Sequence, residues 1–218
     1  MMTVLADNLG VISVSAYGVR SRKSKTRVRL FSCADFVLSK KGDIYRMEQM
    51  DLVDAFFPIC EDITKLSLAN YLSDLAKDAF STADKDILKL LLNTMYVISY
   101  KDTDLNLAKA VYEIKIAQYM GYEPHIASCV TCGNAENIVA FDIESGVKCK
   151  NCQRLGDYPI PQGVYEALKF ILQKEDSKIF SFSVSDEVKK ELCKLCEKYI
   201  TDKTERNYKS LDYLKKIM

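Results

Sequence analysis

Two short cysteine pairs, Cys129-Val-Thr-Cys132 and Cys149-Lys-Asn-Cys152, stand sixteen residues apart. This is the spacing of a tetrahedral four-cysteine zinc site: each CxxC pair supplies two thiolates, and the chain between them turns back as a hairpin. Gly133 directly follows the first pair and Gly146 lies just before the second, where the backbone must bend sharply and glycine does so without steric cost. With sulfur at all four positions no site is left for water or substrate, so one structural Zn2+ ion is expected rather than a catalytic one. Two disulfides or four buried thiols are the competing reading. No charged and apolar leader pattern is seen at the start of the chain, so a reducing cytoplasm, where disulfides are disfavoured, is the expectation. The most apolar stretch, Ile87 to Ile98, contains Lys89 and Asn93 and is too short to span a bilayer, so no membrane association is expected.

The net charge of +1 conceals an uneven distribution. Residues 8–34 hold Arg20, Arg22, Lys23, Lys25, Arg27 and Arg29 and no acid; removing those six from the 31 basic residues leaves 25 against 30 acidic ones. Such asymmetry predicts a local anion-binding surface. The run Arg20-Ser-Arg-Lys-Ser-Lys-Thr-Arg-Val-Arg29 alternates charge with small hydroxyl residues, and strand periodicity puts Arg27, Arg29 and Phe31 on one face. A polyanion suits that face, because Lys and Arg neutralise phosphates, hydroxyls add hydrogen bonds and an aromatic ring stacks an exposed base. The bland alternative is a solvated hairpin tip. Tyr17 and Phe31 are the candidates for base stacking, weighed against the more frequent role of an aromatic on a small barrel as core.

Periodicity divides the chain. Up to about residue 60 it is strand-like: Ile12, Val14 and Ala16 alternate with polar residues, a second run holds Val28, Leu30, Ala34, Phe36 and Leu38, and Lys40-Lys41-Gly42-Asp43 is a turn before a third run, Ile44 to Val53. A meander of antiparallel strands forming a small barrel is the economical topology. After Pro58 helical stripes follow: Leu68, Tyr71, Leu72, Leu75 and Ala79, then Ile87, Leu88, Leu91, Leu92, Met95 and Ile98 behind a capping Asp84. A third helix runs from Leu105 to Met120 and stops at Gly121 ahead of Pro124. Beyond the cysteine hairpin, Pro161 opens a helix through Gln173, and Val184 to Ile200 and Ser210 to Ile217 complete a helical tail. The fold class is therefore α+β, with residues 1–60 forming the strand domain and 61–218 a helical domain that contains the hairpin at 129–152.

Enzymatic chemistry finds little foothold. There is no phosphate loop or dinucleotide fingerprint. His125 is the one histidine; it is not followed by the His-x-Glu arrangement of a zinc deaminase, and four cysteines already satisfy a metal without it. A third pair, Cys193-Lys-Leu-Cys196, lies within a helical pattern one turn apart beside Leu192 and Leu195, where packing is the expected role rather than metal or redox chemistry. Cys33 and Cys60 are single and expected to be structural.

The segment Leu9-Gly-Val-Ile-Ser-Val-Ser-Ala-Tyr-Gly-Val-Arg-Ser-Arg-Lys-Ser-Lys25 resembles the Gly-x-x-x-Val-x-Ala-x-Gly-Ala-Arg stretch of the RecO family of bacterial DNA repair proteins, zinc-bearing type. Leu68-Ala-Asn-Tyr-Leu-Ser-Asp-Leu75, Gly121-Tyr-Glu-Pro124, the two cysteine knuckles and Arg206-Asn-Tyr-Lys-Ser-Leu211 agree with it in the same order. The resemblance implies an N-terminal OB-like barrel and a non-enzymatic recombination mediator. Such a protein binds single- and double-stranded DNA, anneals strands, engages the C-terminal tail of single-strand DNA-binding protein, and works with RecR to load recombinase. It would be cytoplasmic and nucleoid-associated. One departure is that Met1-Met-Thr-Val-Leu5 already resembles the family's second strand, so the first barrel strand is expected to be missing, which would leave an unpaired sheet edge. The alternative from another class is a zinc-ribbon adaptor that binds protein and no DNA; a redox protein using its CxxC pairs is a more distant third.

Overall fold

The computed structural model describes residues 1–16, 29–42, 44–80, 85–175 and 177–218. Strand β1 (Met2–Ala6) pairs antiparallel with β2 (Gly10–Ser15), in which Ile12 and Val14 are buried while Val11 and Ser13 are exposed. The alternation read from the sequence thus selects the inward face. β3 (Cys33–Lys41) and β4 (Ile44–Asp54) form an antiparallel hairpin entered through Gly42 at φ 62°. Ala34, Phe36 and Leu38 turn inward and Asp35, Val37 and Ser39 outward.

The expected meander is corrected by the position of that hairpin. β4 lies beside β2 in parallel, with Val14 opposite Tyr45 and Ser15 opposite Arg46, so the strand order is β1-β2-β4-β3. Parallel neighbours cannot be joined by a tight turn, and here all of β3 lies between them in sequence. The second strand also begins later than expected. Leu30 and Phe31 occupy a turn, Phe31 with φ 59°, and the Ser32 hydroxyl donates to the Arg29 carbonyl at 2.8 Å. A local side-chain bond to the backbone has replaced the ladder there. Arg29 and Phe31 therefore do not share a strand face; Val28 and Arg27 lie outside the described residues.

Helical periodicity takes over after β4, in α1 (Phe57–Glu61), α2 (Ile63–Ala79), α3 (Lys85–Tyr100) and α4 (Leu105–Tyr119). The Asp62 carboxylate accepts from the N–H groups of Thr64 and Lys65, and Asp104 from those of Asn106 and Leu107, satisfying donors that an α-helix leaves open at its start. Asp84, expected to cap α3, lies outside the described residues. Gly121 ends α4 as expected: its φ is 85°, its N–H donates to Gln118 and that of Tyr122 to Ala117. A small sheet follows, β5 (Ile138–Asp142), β6 (Gly146–Cys149) and β7 (Tyr158–Pro159), then α5 (Gln162–Gln173), α6 (Asp186–Thr204) and α7 (Lys209–Ile217). The α+β class holds: an N-terminal sheet is followed by helices. No helix among the described residues is long and apolar enough to cross a membrane.

The chain forms two compact units, Met1–Lys101 with Ser210–Met218, and Asp102–Lys209. In the first, Leu68, Leu72 and Leu75 of α2 and Leu90 and Ile98 of α3 are fully buried, and the Ser210 hydroxyl of α7 donates to Asp74 of α2 at 2.6 Å. In the second, α4 packs against α5 and α6 and is buried without interruption from Leu107 to Ala117. That continuous burial includes charge. Lys109 lies 2.9 Å from Glu113 on its own helix and 2.7 Å from Glu197 on α6, and the Lys115 ammonium donates to the Lys174 carbonyl. Burial alone would lower the Lys109 pKa, but the two carboxylates outweigh it and hold the ammonium above its ordinary range.

A buried ion pair costs most when one partner is removed. Lys109→Ala is expected to destabilise the protein by about 3–5 kcal/mol, read as a fall in the urea midpoint at unchanged slope. A loss below about 1 kcal/mol would contradict this account of the packing between α4 and α6.

Candidate metal centre

The four cysteines predicted as ligands come together. The sulfurs of Cys129, Cys132, Cys149 and Cys152 all lie within 4.8 Å of one another, and those of Cys132 and Cys149 are 3.7 Å apart. Four sulfurs about 2.3 Å from a shared tetrahedral ion would be about 3.8 Å from each other, so the cage has the size such an ion requires. None of the eight cysteines is joined in a disulfide. Cys129 and Cys149 are buried and Cys132 is exposed, which places the cage at the rim of its unit rather than in its core.

Local backbone geometry builds each half. In the first knuckle the Cys129 N–H donates to Asn134 and the Gly133 N–H returns to the Cys129 carbonyl, both at 2.8 Å, with Gly133 at φ 76°. In the second, which begins at the last residue of β6, the N–H groups of Cys152 and Gln153 both donate to the Cys149 carbonyl at 3.0 Å. The halves are joined where Val130 donates to the Val147 carbonyl and Val147 to that of His125. Gly146 is required at this junction: its φ is 123°, and a Cβ there would stand 2.2 Å from the His125 carbonyl oxygen. Gly133, by contrast, meets nothing within 4 Å and serves through its backbone conformation alone.

The electrostatics of the cage favour a cation. Burial would raise the Cys129 pKa, but N–H donation from Cys149, Thr131 and Cys132 prevails and brings it down to about 6. Cys152 is pushed up to about 12, first by its hydrogen bond with Cys132, then by burial and the other thiols. Four thiolates cannot share this volume without a positive charge among them. A soft, tetrahedral, four-sulfur donor set matches a d10 divalent ion or an iron–sulfur centre. His125 does not join it; its ring nitrogen Nε2 is 3.2 Å from the Ser128 hydroxyl.

Sequence patterns did not reveal the ion triad that locks the second knuckle. Lys148, next to Cys149 in β6 and almost wholly buried, is 2.7 Å from Asp142 at the end of β5 and 2.8 Å from Asp157. These carboxylates raise the Lys148 pKa, and the Lys148 ammonium lowers that of Asp142. Asp157 Oδ2 also accepts from the Arg154 N–H at 2.7 Å. No periodicity signals such a triad, because its acids are six and nine residues away and meet the lysine only once β5 and β6 pair. Phe141 of β5, fully buried, packs edge-on against Tyr199 of α6 with centroids 5.6 Å apart, and the Tyr165 hydroxyl of α5 donates to Ile126. The cysteine-knuckle region is thus anchored to two helices of its unit, α5 and α6.

The third CxxC behaves as expected from its helical setting. Cys193 donates to the Asn106 carbonyl at 3.3 Å and Cys196 is fully buried; desolvation pushes the Cys193 thiol up to about 11 and Cys196 well above its usual value. Neither is a ready thiolate nucleophile. Of the basic run, Arg29 is described, its guanidinium 4.6 Å from the centroid of the Phe57 ring, and Phe31 is half-buried in its turn. Arg20, Arg22, Lys23, Lys25 and Arg27, with Tyr17, lie outside the described residues.

A sheet followed by helices, with a four-thiol hairpin inserted between two of those helices, defines a class of α+β proteins carrying a structural metal-type knuckle. Residues 60–212 match the family described as Recombination protein O C terminal. The chain belongs to the RecO family. It is 31% identical to the DNA repair protein RecO of Acetivibrio thermocellus, over 99% of this chain and 89% of that protein. Identity is 29% with the protein of the same name from Alkaliphilus metalliredigens, over 100% and 92%, and 27% with that of Clostridium perfringens, over 99% and 98%.

Removing one ligand should open the hairpin. Cys149→Ser is expected to cost on the order of 4 kcal/mol and lower the melting temperature by about 10 °C, as should a chelator that strips a bound ion from the wild type. Acid should act in the same direction. Protons compete with the ion for thiolates, and Asp142, whose folded pKa is depressed, loses its contribution as pH falls through that value. Melting curves from neutral to acid pH check both; a stability indifferent to chelator and to Cys149→Ser would exclude a structural metal.

Proposed function

We propose that this protein is a DNA repair protein of the recombination-mediator kind, acting without catalysis. It binds single- and double-stranded DNA, anneals complementary strands, and cooperates with RecR and the C-terminal tail of single-strand DNA-binding protein in loading recombinase. The observation that carries the reading is the family match over residues 60–212, supported by full-length relatives named for DNA repair. Residues 1–60 are the DNA-binding part, OB-like in character, and 61–218 the helical domain. One Zn2+ held by Cys129, Cys132, Cys149 and Cys152 is the structural cofactor; the cage size and its crowded thiols support that choice.

Charge supports the DNA reading. The chain as a whole is near neutral, so the acid-free run from Arg20 to Arg29 is the place where phosphates would gather. Arg20, Arg22, Lys23, Lys25, Arg27 and Arg29 serve as phosphate-binding residues, with Tyr17 and Phe31 as stacking candidates. The adaptor reading would leave the same run as a solubilising surface.

Reversing charge at Arg22 and Lys25 separates the two. Affinity for a single-stranded oligonucleotide should fall, and the slope of log affinity against log salt should flatten by about 0.7 for each phosphate no longer neutralised, with the melting temperature unchanged. Unchanged affinity and slope would remove these residues from the interface, and absence of DNA binding by the wild type would leave the adaptor.

A further inference from the structure

The N-terminal unit carries further residues with the chemistry of a base-binding platform, on α1 and α3, which the basic run reaches at Arg29. On α3, Tyr96 and Tyr100 stand one turn apart on the same face, their ring centroids 5.4 Å apart and planes inclined by 57°. They are 44% and 45% exposed, whereas Met95, Val97 and Ile98 on the opposite side are buried. The Tyr100 hydroxyl donates to Asp54 Oδ1 at 2.7 Å, which fixes that ring at the end of β4. Three residues beyond Asp54, Phe57 is 48% exposed. Three large rings left half in water forgo burial energy that a purely structural role would have claimed.

Cations lie over two of these rings. Arg29 is 4.6 Å from the Phe57 centroid and the Lys101 ammonium 5.5 Å from that of Tyr96. Among the described residues neither is held in an ion pair. The nearby carboxylate of Asp54 is already engaged, accepting from Tyr100 and from the Phe56 N–H at 2.8 Å. Exposed π-faces flanked by cations complement a chain that alternates flat bases with phosphates, and only an unpaired strand can offer its bases to a ring.

We propose that Tyr96, Tyr100 and Phe57, with Arg29 and Lys101, form a stacking platform for the bases of single-stranded nucleic acid. This rests on the DNA-binding reading above and extends it to residues of α1 and α3. The platform adds affinity through stacking, while the run from Arg20 to Arg29 adds it through phosphates.

The test uses the full chain and a fluorescent oligothymidylate. Tyr96→Ala combined with Phe57→Ala should weaken binding about ten-fold or more, with the salt slope unchanged because no phosphate-binding cation is removed. The chain contains no tryptophan, so Tyr96→Trp introduces a single indole reporter. That variant should bind like the wild type, and its fluorescence should be quenched when the strand stacks on it. Wild-type affinity in the double variant, or an indole indifferent to saturating oligonucleotide, overturns the platform while leaving DNA binding intact. A wild type that binds no oligonucleotide at low salt overturns the DNA-binding reading, and the platform with it.

Discussion

Four sulfur atoms crowded within 4.8 Å of one another are the constraint on which the hairpin region of the second compact unit depends. As thiolates they repel; as thiols they would be four weakly bonded groups, two of them exposed or half-exposed. A cation at their centre would turn that repulsion into a cross-link between two chain segments sixteen residues apart. Everything near the cage is arranged to bring the segments to that point: N–H groups aimed at Cys129, a glycine where the His125 carbonyl leaves no room for a side chain, and a buried lysine joining the hairpin's two ends. Phe141 then transmits the hairpin's position to α6 through Tyr199.

The same unit contains a second polar constraint. A helix buried from Leu107 to Ala117 would be expected to be apolar throughout, yet α4 carries Lys109, Glu113 and Lys115 inside that stretch. The Lys109–Glu113 pair and its link to Glu197 are directional, so they define how α4 meets α6 in a way that leucine packing would not. Cys193 and Cys196, the pair most open to a metal or redox interpretation by motif alone, sit beside this network with their thiols kept protonated by desolvation. Motif and environment disagree there, and the environment decides the chemistry.

The N-terminal unit shows where local reasoning succeeds and where it stops. Alternation at Ile12 and Val14 identified the inward face of β2, and the turn signal Lys40-Lys41-Gly42-Asp43 marked a real hairpin between β3 and β4. The meander failed because alternation says which side of a strand is buried and nothing about which strand lies beside it. The strand face expected for Arg29 and Phe31 failed for a smaller reason: one hydroxyl bond from Ser32 was enough to hold a turn where the hydrophobic pattern allowed extension. The aromatic surface of Tyr96, Tyr100 and Phe57 was not legible in sequence: the stripe read for α3 runs through Leu91, Met95 and Ile98, and periodicity does not say what lies beside the face left outside it.

Spacing and order along the chain were enough to pick out the four cysteines that come together, the division into strands followed by helices, the helix stop at Gly121, the packing of Cys193 and Cys196, and the RecO resemblance. Each of these depends on separations of a few residues or on motifs in order, which the covalent backbone transmits directly. Folding had to supply the parallel pairing of β2 with β4, the meeting of Lys148 with Asp142 and Asp157, the burial of charge on α4 and the setting of Arg29 over Phe57. Those arrangements arise only when separate elements pack, and the energy that selects them is spread over the whole interface rather than encoded in any one segment.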